Sequence, residues 1–209
     1  MYENQSQQSS SQPRYARGFE HLGVIIGMIA LAVATRLIPH PWNVTAVTAV
    51  ALFGGAMLRD WRLALIVPLT AMWLSDVVLN NLIYQQYFDG FVLWHSDLAW
   101  TYAAVALTVL LGRWLLSSRR GAVRIAGISV TASSLFFVLT NFGVWASGML
   151  YPLTASGLIA CYIAALPFYA QQLVGDLVWC GVLFGGYALI SRYLPATSAQ
   201  HRKAVITPS

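Results

Sequence analysis

The chain alternates long apolar segments with short polar or basic ones, and this pattern predicts membrane-spanning helices. A bilayer core is about 30 Å thick, so a spanning helix needs about 20 mostly apolar residues. Prolines follow the first and last segments, and proline does not continue a helix. The predicted helices cover residues 21–37, 43–58, 61–80, 97–116, 125–147 and 170–193.

A further apolar segment, residues 155–166, is too short to cross a bilayer, which takes about 20 residues. We predict that it forms a helix lying on the membrane surface or folded over the bundle as a lid. A spanning or re-entrant segment is the alternative, and it would change the topology.

Composition supports the membrane assignment. Of 209 residues, 58% are hydrophobic and 9% are charged, whereas soluble domains carry about 25% charged residues. The predicted fold class is all-α: a polytopic membrane protein with a six-transmembrane-helix bundle at 19–195. The polar segments 1–18 and 196–209 are predicted to be disordered cytoplasmic tails. The first lacks the features of a cleaved secretory signal, so helix one is expected to be retained.

Charge placement orients the predicted bundle. Eleven of the 12 Lys and Arg residues flank the predicted helices on one side, and only Arg36 lies on the other. Cytoplasmic loops are enriched in Lys and Arg, so the basic side and both termini are predicted to be cytoplasmic. Nucleic-acid binding is not expected, because it requires basic residues clustered on a soluble face.

Polar side chains inside the predicted spans lie near their outer ends. A charged side chain in the bilayer core costs about 2.5 kcal/mol or more unless it is paired or hydrated. One interpretation is a ligand cavity open to the outside; the other is structural, with Arg36 paired to one aspartate. Their common depth favours a cavity. The predicted ligand-binding residues are Asp76, Asn141, Asp176, Trp73, Asn80, Trp94, Trp145 and Gln172.

Aromatic residues concentrate in two predicted outer loops, 81–96 and 148–169. Most Trp and Tyr residues near a membrane interface belong to the aromatic belt that membrane proteins share. These two loops are also long enough to cover a cavity, and aromatic walls with a few polar groups are typical of small-molecule pockets. We therefore predict an outward-facing pocket beneath them.

Helix one carries small residues spaced four apart, a spacing that lets two membrane helices approach closely. Packing within the bundle is one interpretation, and docking of a partner membrane protein is the other. The predicted docking residues are Gly23, Gly27, Ala30 and Ala34.

The sequence lacks the motifs of several enzyme classes and metal sites. The sequence has no Walker A motif and no HExxH motif. Its 2 cysteines and 4 histidines do not cluster with metal-ligand spacing. We predict no metal, no cofactor and no enzymatic activity, and any ATPase would be a separate chain.

Two stretches carry a family resemblance: RLIPHPWNVTAVTAVALFGGAMLRDWRLALIVPLTAMWLSDVVL (36–79) and LTNFGVWASGMLYPLTASGLIACYIAALPFYAQQLVGDLVW (139–179). They resemble an uncharacterised family of bacterial transport-type membrane proteins (DUF6580-like), which in turn resembles the S components of energy-coupling factor (ECF) transporters. The resemblance implies the S-component fold in a bacterial inner membrane and a vitamin-like ligand beneath lid loops. It also implies docking on a transmembrane coupling protein through an AxxxA motif, whose spacing Ala30 and Ala34 match.

Together these features predict the substrate-binding subunit of a micronutrient uptake transporter. Its partners would be a small-molecule nutrient, membrane lipids and a coupling protein with separate ATPases. Two alternatives stay open. A membrane enzyme acting on a lipid or quinone would use the same aspartates as acid and base in a site open to lipid. An accessory membrane protein without a ligand would use the polar layer for structure alone.

Overall fold

The computed structural model describes residues 14–38, 44–87, 90–94 and 98–206. In the first helix its side chains are described at residue 23 and from residue 25 onward, and in the last helix up to residue 192. Every regular element in these residues is helical, which confirms the all-α prediction. The α-helices are α1 (Arg14–Leu37), α2 (Val47–Met57), α3 (Trp61–Val78), α4 (Leu98–Leu116), α5 (Ala122–Ala146) and α6 (Ala155–Ile206). A π-helical turn (Leu79–Ile83) and a 3-10 turn (Gln85–Tyr87) follow α3.

Four helical segments are long and apolar enough to cross a membrane: Trp61–Ile83, Leu98–Leu116, Ala122–Ala146 and Ala155–Arg192. Two shorter apolar helices, Ile25–Leu37 and Val47–Met57, accompany them. These lengths and compositions fit a membrane protein, and a bundle of six spans stays a prediction.

The second helix is much shorter than the predicted segment 43–58. α2 has 11 residues and a length of about 16 Å, roughly half the thickness of a bilayer core. Its residues 47–56 are all buried, because α3, α4, α5 and α6 pack around it. An apolar helix without a charged residue is suited to this central position.

Close backbone contact joins α2 to α4. A Cβ atom on Gly55 would lie 2.1 Å from the carbonyl oxygen of Val109, and one on Gly112 would lie 2.3 Å from that of Leu52. Only glycine fits at these two positions. The close approach leaves Leu52 and Val109 fully buried between the helices, as small residues permit in membrane bundles.

The prediction of a loop at 148–169 is wrong for most of its length. α6 begins at Ala155 and continues through Pro167, so the link from α5 covers only residues 147–154. The hydroxyl of Tyr162 donates to the carbonyl oxygen of Val138 at 2.7 Å, which fastens this part of α6 to α5. Residues 155–166 are therefore the first turns of α6 and not a separate lid helix.

The helical ends also extend past the predicted domain limits. α6 continues to Ile206, beyond residue 196 where a disordered tail is predicted to begin. α1 begins at Arg14, within the other predicted tail, 1–18. Residues 1–13 and 207–209 lie outside the described residues.

Two arginine-bearing links meet at one end of the bundle. Arg113, in the last turn of α4, donates to the carbonyl oxygens of Leu58 at 3.3 Å and of Arg59 at 3.4 Å. These contacts join the α2–α3 link to the end of α4. We call the end formed by residues 58–60 and 117–121 the basic end.

We expect Gly112→Ala to lower the free energy of unfolding by about 1–3 kcal/mol, the usual cost of overpacking, since its Cβ would overlap the Leu52 carbonyl. Gly127→Ala is the matched control, because a Cβ there meets nothing within 4 Å. The control should instead gain about 0.5–1 kcal/mol from helix propensity. Reversible SDS titration in mixed micelles measures both, and equal stabilities would contradict the close α2–α4 contact.

Candidate functional site

A cavity of about 390 Å³ lies beside the first turn of α2, near the centre of the bundle. All six α-helices contribute to its wall, together with the turns that follow α3. Its polar lining residues are Arg36, Thr45, Thr48, Tyr84, Thr101, Gln172 and Asp176, and its apolar ones are Val47, Met72, Leu79 and Phe136.

The short length of α2 leaves room for this cavity. The backbone from Val44 to Ala46 is not helical. The amide of Ala46 donates to the hydroxyl of Thr35 at 3.1 Å, and a Cβ on Gly175 would lie only 3.0 Å from the Cα of Val44. Ala46 has no side-chain cap. Val47 and Thr48, the first residues of α2, line the cavity, so the positive end of the α2 dipole lies next to it.

An ion pair lies where α1, α3 and α4 meet. The Nη2 atom of Arg36 donates to Oδ1 of Asp76, and the hydroxyl of Tyr102 donates to Oδ2 of the same carboxylate at 3.0 Å. The side chains of Arg36 and Asp76 are only 17% and 7% exposed. Because both charges are largely removed from solvent, each depends on its partner. Asp76 thereby holds the guanidinium of Arg36 at the cavity wall.

A second carboxylate, that of Asp176, is almost completely buried. Its Oδ2 atom accepts hydrogen bonds from the hydroxyl of Ser133 at 2.7 Å and from the amide of Gln172 at 3.5 Å. The hydroxyl of Thr48 is a further hydrogen-bond partner. In the described part of the chain, no Arg, Lys or His lies within 4.0 Å of this carboxylate. Asp176 is therefore surrounded by neutral donors and has no cation beside it.

The two aspartates lie at different depths. Tyr102, which binds Asp76, lies about 6 Å along α4 from its first residue, whereas Ser133, which binds Asp176, lies about 20 Å from the last residue of α5. These two helix ends adjoin each other, since Trp100 packs on Gly143. The prediction that both aspartates lie at the same distance from this end of the bundle is therefore wrong. The difference arises because α6 begins at Ala155 and not near residue 170.

Comparison with known proteins places the chain in a family. A family model described as "Family of unknown function (DUF6580)" matches residues 18–197. The chain belongs to the DUF6580 family. No curated protein and no solved structure matches it. The predicted DUF6580 family is thus confirmed, whereas its bacterial origin, its transport character and the resemblance to ECF S components stay predictions.

Three predicted ligand-binding residues of this DUF6580 protein belong to the polar groups around the cavity. Asp176 and Gln172 line it directly. Asp76 acts through Arg36, which lines it. The chain thus brings these three together from α3 and α6.

Asn141 and Trp145, both on α5, are not part of the cavity wall. The amide of Asn141 donates to the carbonyl oxygen of Phe137 on its own helix at 2.8 Å. The indole of Trp145 donates to the carbonyl oxygen of Pro152 in the α5–α6 link at 3.1 Å. These contacts give both residues structural partners, and their part in ligand binding stays a prediction.

Trp73, Asn80 and Trp94 also lie outside the cavity lining. Trp73 and Trp94 are 40% and 52% exposed, and Asn80 is buried in the π-helical turn. Trp94 packs edge-on against Tyr102, with 5.0 Å between the ring centroids. Trp94 therefore contacts the residue that donates to Asp76, and ligand contacts for the three residues stay predictions.

Sequence reasoning missed several polar groups of the site. Arg36 is predicted only as a structural partner of one aspartate, and Thr48, Tyr102 and Ser133 are absent from the predicted site. Hydroxyl residues in apolar helices carry little signal, because many bond only to their own helix; Thr108, for example, donates to the Ala104 carbonyl.

No group of three or more His, Cys, Asp or Glu side chains suited to a metal ion lies within the described residues.

The small residues of α1 lie on its outer face. A Cβ on Gly23 or Gly27 would meet nothing within 4 Å. Ala30 is exposed, and Ala34 is half-buried. Packing within the bundle therefore does not explain the first three, and docking of a partner on this face stays a prediction.

We expect Arg36→Gln to lower the free energy of unfolding by about 3–5 kcal/mol, because it leaves the buried Asp76 carboxylate without its cation. The double variant Arg36→Gln with Asp76→Asn should lose less than the single variant, since no charge is then stranded. SDS titration in mixed micelles measures the double variant and both single variants, Arg36→Gln and Asp76→Asn. Simple addition of the two single effects would contradict a direct ion pair.

Tyr102→Phe should cost less, about 1.5–3 kcal/mol, because only one hydrogen bond to a charged acceptor is lost. Tyr187→Phe is the control, since it keeps the ring that packs on Phe53. The same titration tests the pair, and an effect of equal size in the control would exclude a specific role for the Tyr102 hydroxyl.

Proposed function

We propose that this DUF6580 protein is the substrate-binding membrane subunit of an uptake transporter for a small, polar, vitamin-like nutrient. The observation that carries the proposal is the cavity itself. It lies inside the helix bundle, receives residues from all six α-helices, and places a guanidinium and a buried carboxylate in one wall.

The size and lining of the cavity suit a small molecule. Ligand pockets measure about 300–1,000 Å³ and combine apolar walls with a few placed polar groups. Here Met72, Leu79 and Phe136 supply apolar surface, and the hydroxyls of Thr48 and Thr101 supply donors and acceptors. A site of this kind favours a ligand with a compact apolar body and several polar substituents.

Arg36 and Asp176 suit different chemical groups of a ligand. Arg36 and the first amides of α2 are donors, so they suit an acceptor or anionic group of the ligand. Asp176 is an acceptor without a cationic neighbour among the described residues, so it suits a donor or cationic group. Transporters use the N-termini of interrupted membrane helices in the same way.

The loop that follows α3 is the proposed lid, and it lies at the end of the bundle opposite the basic end. Asn81 donates its amide to the carbonyl oxygen of Val92 at 2.7 Å and accepts from the Val92 amide at 2.7 Å. This pair of bonds closes a loop that carries Tyr84, a lining residue of the cavity. We propose that the loop faces outward and the basic end faces the bacterial cytoplasm, as the positive-inside rule favours.

The exposed small residues of α1 support a membrane partner. Gly23, Gly27 and Ala30 leave a smooth helix face on which a second helix could approach closely. In the proposed transporter this face docks on a transmembrane coupling protein with separate ATPases, as in the ECF S components that the sequence resembles.

The test is ligand retention. The full-length protein, purified in mild detergent, should carry a small molecule that native mass spectrometry detects. Asp176→Asn should reduce its occupancy about tenfold or more, because a hydrogen bond to a charged group is worth about 1.5–3 kcal/mol. Thr48→Val should reduce it less, by the value of one neutral hydrogen bond.

Thr131→Val is the matched control, because Thr131 lies on α5, exposed and away from the cavity. Its occupancy should equal that of the wild type, and unfolding midpoints identify any variant that fails to fold. Full occupancy in folded Asp176→Asn would refute the assignment of the site. Wild-type protein that retains no small molecule would favour an accessory protein, and a retained molecule that is chemically converted would favour an enzyme.

A further inference from the structure

α5 and α6 separate toward the basic end. Midway along α5, the hydroxyls of Ser134 and Tyr169 lie 2.8 Å apart. Closer to the basic end, α6 also packs on α2, where Phe184 meets Phe53 edge-on with 5.1 Å between ring centroids. A groove of about 450 Å³ opens between α5 and α6 on this side.

Small residues form the walls of this groove. Ala122 and Ala126 line it from α5, and Gly181 and Gly185 line it from α6. A Cβ on either glycine would meet nothing within 4 Å. The groove is therefore open space along both helices.

The groove is elongated along α6. Its wall on α6 extends from Leu177 to Arg192, a rise of about 22 Å. Apart from Arg120 and Arg192, every residue of its lining is apolar. An elongated apolar surface of this kind suits an extended hydrocarbon chain.

Two arginines lie at the mouth of the groove, at the basic end. Arg120 donates Nε to the carbonyl oxygen of Leu116 at 3.1 Å and Nη2 to that of Ser117 at 2.8 Å. These bonds hold its guanidinium against the end of α4 while occupying two of five N–H donors. Arg192 lines the mouth from α6. The mouth therefore presents two cations above an apolar slot.

We infer that the groove binds one anionic phospholipid, with an acyl chain along Ala126 and Gly181 and the phosphate at Arg120 and Arg192. The apolar chain matches the walls, and guanidinium groups bind phosphate oxygens with paired hydrogen bonds. Basic pockets between membrane helices bind anionic headgroups in this manner. The groove and the central cavity share no lining residue, so this inference does not depend on the proposed function.

A helix from a second copy of the chain is the competing occupant, because Gly181 and Gly185 have GxxxG spacing. An apolar helix would bring no anion to Arg120 and Arg192. An anionic lipid accounts for both the apolar walls and the two arginines at the mouth.

The experiment offers the purified full-length protein an equimolar mixture of phosphatidylglycerol and phosphatidylcholine with identical acyl chains. Native mass spectrometry counts the bound lipids. The wild type should retain phosphatidylglycerol about tenfold over phosphatidylcholine, and Arg120→Gln with Arg192→Gln should abolish the preference. Arg62→Gln with Arg119→Gln removes the same charge from exposed positions near the basic end and should keep it. No preference in the wild type, or equal loss in both double variants, overturns the inference.

Gly181→Leu tests the slot separately from the charges, because its side chain would fill the groove. It should lower retained phosphatidylglycerol about tenfold, the effect expected of the arginine pair, whereas Gly27→Leu on the outer face of α1 should leave it unchanged. Full retention in Gly181→Leu, combined with loss of a wild-type dimer, would assign the groove to a second copy and overturn the inference. If Gly181→Leu fails to fold, the lipid preferences of the two arginine double variants test the inference.

Discussion

The central helix of this bundle is too short to cross a membrane, and the rest of the structure depends on that fact. α2 has 11 residues, all but its last one buried, and its length of about 16 Å is roughly half the thickness of a bilayer core. Residues of the other five α-helices line the cavity next to its N-terminus. In a lipid solvent such a space is stable when polar groups inside it have partners, and hydroxyl, amide and charged side chains from several helices supply them here.

Two carboxylates satisfy this requirement in different ways. Asp76 is neutralised by Arg36 and bonded by Tyr102, so it ties three helices together near their ends. Asp176 lies deeper and has only neutral donors among its described neighbours. The first arrangement is complete without a ligand, whereas the second leaves a carboxyl group at the cavity wall with no cation beside it among the described residues. This difference makes Asp76 chiefly a stabilising residue and Asp176 the stronger candidate for recognition.

The two ends of the bundle present different chemistry. The cavity carries mixed polar groups between closely packed helices, and the basic end carries arginines beside a slot of small residues. In the proposed transporter subunit, the cavity would hold a polar solute and the groove would hold an anionic lipid. Separate sets of residues line the two sites, so each can be altered without the other.

Local sequence determined the helical class, the positions of most helices and the polar residues Asp76, Asp176 and Gln172, because a charge inside an apolar segment is conspicuous wherever the segment folds. It also determined which links carry the arginines. Tertiary structure alone decided that α2 is half-length, that residues 155–169 join α6, and that Asp76 is the aspartate that pairs with Arg36. It also left Asp176 without a cation among the described residues. Those outcomes depend on where each helix begins and which faces meet, and these are set by contacts between distant residues that no local pattern encodes.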